Sequence, residues 1–210
     1  MLSPTRDAVV FCSDQFRDTE IRDVATGRLI WGPTPKYARV QQWSKAMSLL
    51  TYDSVFHLLD GRSEHEIPIP VRSGIAPSFC ETAPLLAYFE RIPAGERPFD
   101  PYRLRVWNYR TGREEWQWSH RKWSWPNPST LVTPRWSPDG RWLVVHECEP
   151  ESNYHVFSQT GDHVAEGKVD LEMAEFVWSP DSKRLALRVR DGVEIVTLPD
   201  GEGQKVRHGL

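Results

Sequence analysis

The residues best equipped for chemistry in this chain of 210 are His146, Glu147, Cys148 and Glu149, with His155 a short way downstream. Imidazole, thiolate and carboxylate are the ligand types of zinc, which takes four protein ligands, or three and a water. In an extended strand successive side chains point to opposite faces, so only His146 and Cys148 would share one, joined by His155 from across a hairpin. That set is short of a ligand unless a distant residue completes it. It therefore reads as a cross-strand pair beside a buried thiol, and neither a metal nor another cofactor is expected.

Other catalytic signatures are wanting. Gly201-Glu202-Gly203-Gln204-Lys205 lacks the spacing of a phosphate-binding loop, and no Gly-x-Ser-x-Gly elbow occurs. The 29 Asp and Glu residues supply carboxylates in plenty. Most such side chains are solvated surface, and nothing in the spacing selects an acid and a base.

A second distinctive stretch, Trp116-Gln117-Trp118-Ser119-His120-Arg121-Lys122-Trp123-Ser124-Trp125-Pro126-Asn127-Pro128, carries four Trp in ten residues. Aromatics dominate interface hot spots. Trp116 and Trp118, two apart in a strand pattern, share one face and are expected to fill the space between sheets. Trp123 and Trp125 lie beyond that strand, beside His120, Arg121 and Lys122. They are candidates either for an exposed partner-binding platform or for pinning the loop to its scaffold. The basic triplet is matched by Glu147, Glu149 and Glu151, and a mixed-sign face favours a protein partner over a nucleic acid.

Composition agrees. A net charge of -3, from 26 Lys and Arg against 29 Asp and Glu, lacks the basic excess of nucleic-acid binders. Ten Trp, 17 Pro and 39% hydrophobic residues describe a folded, turn-rich chain. Cys12, Cys80 and Cys148 are odd in number and far apart, so buried free thiols and a reducing compartment are the expectation. No apolar run reaches the length of a membrane span, and Met1 to Arg6 lacks the regions of a signal peptide, so the chain reads as soluble and cytoplasmic.

The elements that would position these residues come from internal repetition. Leu2, Trp43, Phe79, Trp136 and Trp178 align as anchors, each followed seven residues later by an apolar residue: Val9, Leu50, Leu86, Leu143 and Leu185. The spacings are 41, 36, 57 and 42 residues, near the period of four-stranded propeller blades apart from one enlarged unit. Every anchor is also followed by a hairpin signal: Thr26-Gly27, Asp60-Gly61, Thr111-Gly112, Thr160-Gly161 or Asp200-Gly201. Each unit reads as strand a ending at the anchor, a tight turn, strand b, a loop, strand c, a Thr-Gly turn and strand d. The best-preserved a–b turn is Ser137-Pro138-Asp139-Gly140. There Pro pre-sets one dihedral and Gly accepts a left-handed one. Ser182 occupies the equivalent of Gly140, where a left-handed conformation would cost about 1 kcal/mol.

Through Trp136-Ser137-Pro138-Asp139-Gly140, Trp178-Ser179-Pro180-Asp181 and Val106-Trp107-Asn108, the chain resembles the WD-repeat family of β-propellers over nearly its whole length. It departs from that family in having no Gly-His pair before a repeat and no Trp-Asp pair closing strand c. The Ser-Pro-Asp-Gly turn also resembles the propeller repeats of periplasmic translocation proteins, the second choice. The resemblance implies an all-β fold: a single β-propeller domain of about five four-stranded antiparallel blades, near 1–33, 34–70, 71–118, 119–166 and 167–210. Leu2 already ends a strand a, so the first blade lacks its inner strand and 19 strands are expected. The chain is then either part of a larger propeller or an open array completed by self-association.

Strands alternate direction within a blade, so the a–b and c–d turns lie at one face and the b–c and d–a loops at the other. The second face collects the insertions 90–101, 119–130 and 147–153, and loops on a rigid scaffold are where binding is usually placed. The reading is a non-catalytic scaffold that binds another protein, or another segment of a longer polypeptide, through Trp123, Trp125, Arg121, Lys122 and His120. Neither nucleic acid nor membrane is an expected partner. The alternative is a propeller that binds a small ligand or acts as an enzyme over its central channel.

Overall fold

Short β-branched and aromatic runs, punctuated by residues that tolerate tight turns, form strands and no helix among the described residues. A computed structural model describes residues 8–12, 19–34, 39–43, 47–52, 55–60, 63–67, 77–91, 102–119, 132–147, 153–169, 176–189, 192–198 and 202–207. Among these, the first sheet holds β1 (Ala8–Cys12), β2 (Thr19–Asp23) and β3 (Leu29–Thr34). The second holds β4 (Arg39–Trp43), β5 (Met47–Tyr52), β6 (Val55–Asp60) and β7 (Ser63–Ile67). The third is β8 (Ser78–Phe79), β9 (Leu85–Arg91), β10 (Tyr102–Asn108) and β11 (Arg113–Trp118). The fourth is β12 (Val132–Trp136), β13 (Trp142–Glu147), β14 (Asn153–Ser158) and β15 (His163–Lys168). The fifth is β16 (Phe176–Trp178), β17 (Arg184–Val189), β18 (Gly192–Thr197) and β19 (Glu202–Arg207). Within each sheet, consecutive strands pair antiparallel, which makes each sheet a meander.

The anchors Trp43, Phe79, Trp136 and Trp178 are the last residues of β4, β8, β12 and β16, as their spacing predicts. Leu2 lies outside the described residues. The chain falls into two compact units, Met1–Arg72 and Ser73–Leu210. In the first, Ala8, Ile21 and Leu59 form a small core against which Ile30 and Trp31 pack.

In the second unit, the fourth sheet is buried on both faces. Leu143, Val145, Phe157 and the anchor Trp136 pack against Leu85, Ala87, Phe89, Leu104 and Val106 of the third sheet. The intervening positions Val144, Tyr154, Val156 and Ala165 pack against Phe176, Leu185, Leu187 and Val196 of the fifth. Period-two alternation thus divides one sheet between two interfaces, and each fully buried Leu, Val or Phe contributes about 1.5–3 kcal/mol.

A β-bulge recurs in the last strand of three sheets. Arg22 pairs Leu29 while Ile21 pairs Trp31; Trp107 pairs Glu114 while Val106 pairs Trp116; Phe157 pairs His163 while Val156 pairs Ala165. Ile30, Glu115 and Val164 are therefore the inserted residues, and beyond each of them the side-chain parity of the strand reverses.

The a–b turns show why their residue types are needed. In Ser137–Gly140, Gly140 N donates to Ser137 O at 2.9 Å, with Gly140 at φ 73°. Ser137 Oγ accepts from Trp142 N at 3.0 Å and donates to Asp139 at 2.7 Å. Ser179, Asp181 and Arg184 repeat the pattern, and Cys80 with Thr82 gives a neutral version, Sγ and Oγ1 lying 3.4 Å apart. The turns also bond one another: Thr82 Oγ1 donates to Asp139 O at 2.9 Å, and Asp139 N donates to Ser182 Oγ at 3.1 Å. Burial pushes the Asp139 carboxyl up, but hydrogen bonds from Arg141 N and Ser137, with the Arg141 charge beside it, hold it below the usual carboxylate range.

Ser182 is the only non-glycine residue at positive φ among those described, at 58°, and it is fully buried. Its hydroxyl explains its presence, since glycine would leave Asp139 N without that acceptor. Ser182→Ala keeps the backbone strain and loses the bond, and is expected to destabilise by about 1–2 kcal/mol. Ser182→Gly loses the bond but relieves the strain, and is expected to lie within about 0.5 kcal/mol of the wild type. Denaturant unfolding of the two variants checks this order.

His146 is buried against Phe176, with ring centroids 5.4 Å apart. Burial, with a smaller contribution from His155, lowers its pKa from 6.5 to about 4. The folded chain keeps this imidazole neutral while the unfolded chain protonates it below 6.5. Stability present above pH 6.5 is therefore lost as pH falls towards 4, by about 3 kcal/mol. His146→Gln is expected to flatten that part of a stability-against-pH profile, measured by urea unfolding.

Candidate functional site

The Trp-rich stretch begins on firm structure. On β11, the bulge at Glu115 sets Trp116 and Trp118 on the face that meets the fourth sheet. Trp116 Nε1 donates to Gln159 O at 2.9 Å, and its ring lies 5.6 Å from that of Phe157. Gly161, at φ 94°, lies under it, and a Cβ there would stand 2.8 Å from Trp116 Cγ. Trp118 packs on His155 at 4.8 Å and Phe157 at 4.9 Å. Both tryptophans thus fill an interface between sheets, as expected. His120, Arg121, Lys122, Trp123 and Trp125 lie outside the described residues, as do 92–101 and 148–152.

At the opposite end of the sheets, the polar groups of the c–d turns bond among themselves. Asp23 accepts from Thr26 N and Oγ1, at 2.7 and 2.6 Å. Asn108 Oδ1 accepts from Arg110 N and Thr111 N, both at 3.1 Å. Ser158, Thr160 and Asp162 close a third such network. These c–d networks are solvent-exposed and each is closed within its own turn, whereas the a–b turns of the second unit are linked to one another. On the third sheet, Arg105 Nε lies 3.0 Å from both Glu90 and Glu114, and Arg103 Nε 3.4 Å from Glu90, so these two cations form no bare basic patch.

The histidines are arranged differently from the expectation. His146 pairs with Tyr154, whereas His155 pairs with Val145. His146 and His155 therefore project from opposite faces of the fourth sheet, the first towards the fifth sheet and the second towards the third. The expected cross-strand pair does not form, because β14 is in register one residue away from the assumed pairing. Cys148 is outside the described residues, and Cys80 is a buried free thiol.

A cluster that sequence reasoning missed forms instead around His155. His155 Nδ1 lies 3.2 Å from His163 Nε2 and 3.6 Å from Glu166 Oε2, and the last two atoms are 3.8 Å apart. His155 is buried, while His163 and Glu166 reach solvent. In a regular strand residues three apart oppose each other, but the bulge at Val164 returns His163 and Glu166 to one face, opposite Phe157 and His155. Trp118 and Phe157 wall the histidines, at 6.3 and 5.1 Å from the His163 ring.

Four-stranded antiparallel meanders with tight turns at one end, packed face to face, are the blades of a β-propeller. Solved propellers superpose accordingly. KlHsv2 with loop 6CD replaced by a Gly-Ser linker matches with a TM-score of 0.63 and 16% identity over 97% of this chain and 66% of that one. Kluyveromyces lactis Hsv2 matches at 0.61 and 18% over 91% and 58%. The complex of KlAtg21 with the coiled-coil of AgAtg16 matches at 0.64 and 14% over 92% and 64%. At such identities the likeness is one of fold. In sequence, 112 residues are 30% identical to Centriole proteome protein 16 of Chlamydomonas reinhardtii, covering 51% of this chain and 5% of that protein. No protein-family model matches the chain.

The contact between Trp116 and Gly161 can be weighed against a control. Gly112 has φ 68° but open space where a Cβ would go. Gly112→Ala is expected to cost about 1 kcal/mol from backbone strain alone. Gly161→Ala must also displace Trp116 and is expected to cost at least about 2 kcal/mol. Thermal and urea unfolding of both variants measure the difference.

Proposed function

We propose that the chain is a non-catalytic, WD-repeat-like scaffold that binds another protein, or another segment of a longer polypeptide, through loops at the b–c and d–a end of its blades. The observation that carries this reading is the contrast between the two ends. The tight-turn end is short in every blade and ties its turns to themselves and to one another. The other end carries the insertions, and the Trp-rich one starts from Trp118, which is locked between sheets. A rigid strand end lowers the ordering cost that a binding loop must meet.

The solved relatives support the reading in kind, since a propeller of this fold, KlAtg21, was solved with a coiled-coil segment of another protein. The matched part of the centriole protein is a small fraction of a long chain, which suits a scaffold acting within a larger polypeptide. Trp123 and Trp125 would supply the apolar anchors, with Arg121, Lys122 and His120 as a polar rim.

The test is a quantitative pull-down with the whole chain and with the Trp123→Ala/Trp125→Ala variant. A discrete protein retained by the wild type and reduced at least tenfold by the variant, both equally stable, is the expected result. Equal retention, or turnover of a small molecule by the chain, would count against the proposal.

A further inference from the structure

The cluster on the outer strands of the fourth sheet has the geometry of an ion site. Two imidazole nitrogens and one carboxylate oxygen, His155 Nδ1, His163 Nε2 and Glu166 Oε2, form a triangle with sides of 3.2, 3.6 and 3.8 Å. Ligands about 2.0–2.1 Å from a tetrahedral zinc ion stand about 3.3 Å apart, so this triangle is slightly wide of that figure. A point about 2.1 Å from all three atoms nevertheless exists within it, inside the range of zinc–nitrogen and zinc–oxygen bonds. The three donors come from adjacent strands. Their convergence depends on the bulge at Val164, so the backbone itself sets the spacing.

We propose that His155, His163 and Glu166 bind a divalent transition-metal ion of the zinc class, with a fourth position open to water or to another ligand. Two nitrogens and one oxygen suit a borderline ion, and a harder ion such as magnesium or calcium prefers an all-oxygen set. Each residue has a distinct part. His155 is buried and held by Trp118, so it is the fixed donor. His163 and Glu166 are solvent-accessible and provide the entry path. Without an ion, the two imidazoles lie at hydrogen-bonding distance, which requires a proton on one of the facing nitrogens. Binding takes both through lone pairs, so that proton moves to the other nitrogen of its ring or to solvent.

The experiment uses the whole, metal-stripped chain and zinc ion alone as the probe, with uptake measured by equilibrium dialysis and elemental analysis. Cobalt(II) is added in parallel, so that its visible absorption reports the donor set. One ion per chain is expected, with His163→Gln and Glu166→Gln each weakening affinity at least about tenfold and altering the cobalt spectrum. Both replacements are at solvent-accessible positions, and circular dichroism checks that the fold survives. His208→Gln is the control and should bind as the wild type does. No uptake at about 100 μM zinc would overturn the proposal, as would uptake unchanged in the Glu166→Gln and His163→Gln double variant.

Discussion

The structure of the second unit depends on a repeated bond in which the tryptophan that ends the first strand of one sheet reaches into the sheet before it. Trp136 Nε1 donates to Ser78 O, and Trp178 Nε1 donates to Arg135 O, each at 3.2 Å. The acceptor in each case is the carbonyl one residue before the preceding anchor, so the same link recurs one repeat later. An indole has a single donor and a large apolar body. It can therefore fill the gap between two sheets while its N–H is satisfied by a backbone carbonyl of the preceding sheet. Trp116 makes the complementary link from the other side, from the last strand of one sheet to the turn of the next.

This fastening explains much of the surrounding chemistry. Because sheets meet at the anchor, the turns that follow lie close enough to bond, and Thr82, Asp139 and Ser182 form a relay across three sheets. Gly140 is required at that junction, since a Cβ there would run into Thr82 and Cys80. Ser182 takes the equivalent place only because its hydroxyl serves the preceding turn. An end of the blade so closely connected has little freedom to vary. Variation is left to the other end, where the insertions leave and re-enter strands that are themselves well packed.

Much of this was legible in the sequence. The anchors, the apolar residue seven positions on and the Thr-Gly pairs fixed the ends of the strands, because turns need particular residues and strands need alternation. The left-handed Ser182 was legible for the same reason. The histidine cluster was not. Period-two reasoning assigned His146 and His155 to one face, but register decides which residues oppose each other, and no residue type near 148–152 specifies it. The bulges at Ile30, Glu115 and Val164 each stand three residues after the left-handed glycine of a Thr-Gly pair, a regularity that strand alternation alone does not carry; each reverses parity in its strand, and one of them brings His163 beside Glu166.

In the proposed function the two ends of the blades divide the labour, one tied turn to turn and the other offered to a partner. Hydroxyl-radical footprinting of the chain, alone and with its captured protein, tests this most directly. The account predicts protection at Trp123 and Trp125, with unchanged reactivity at the turns 80–83, 137–140 and 179–182. Protection confined to those turns, with the Trp-rich loop as reactive in the complex as in the free chain, would contradict it.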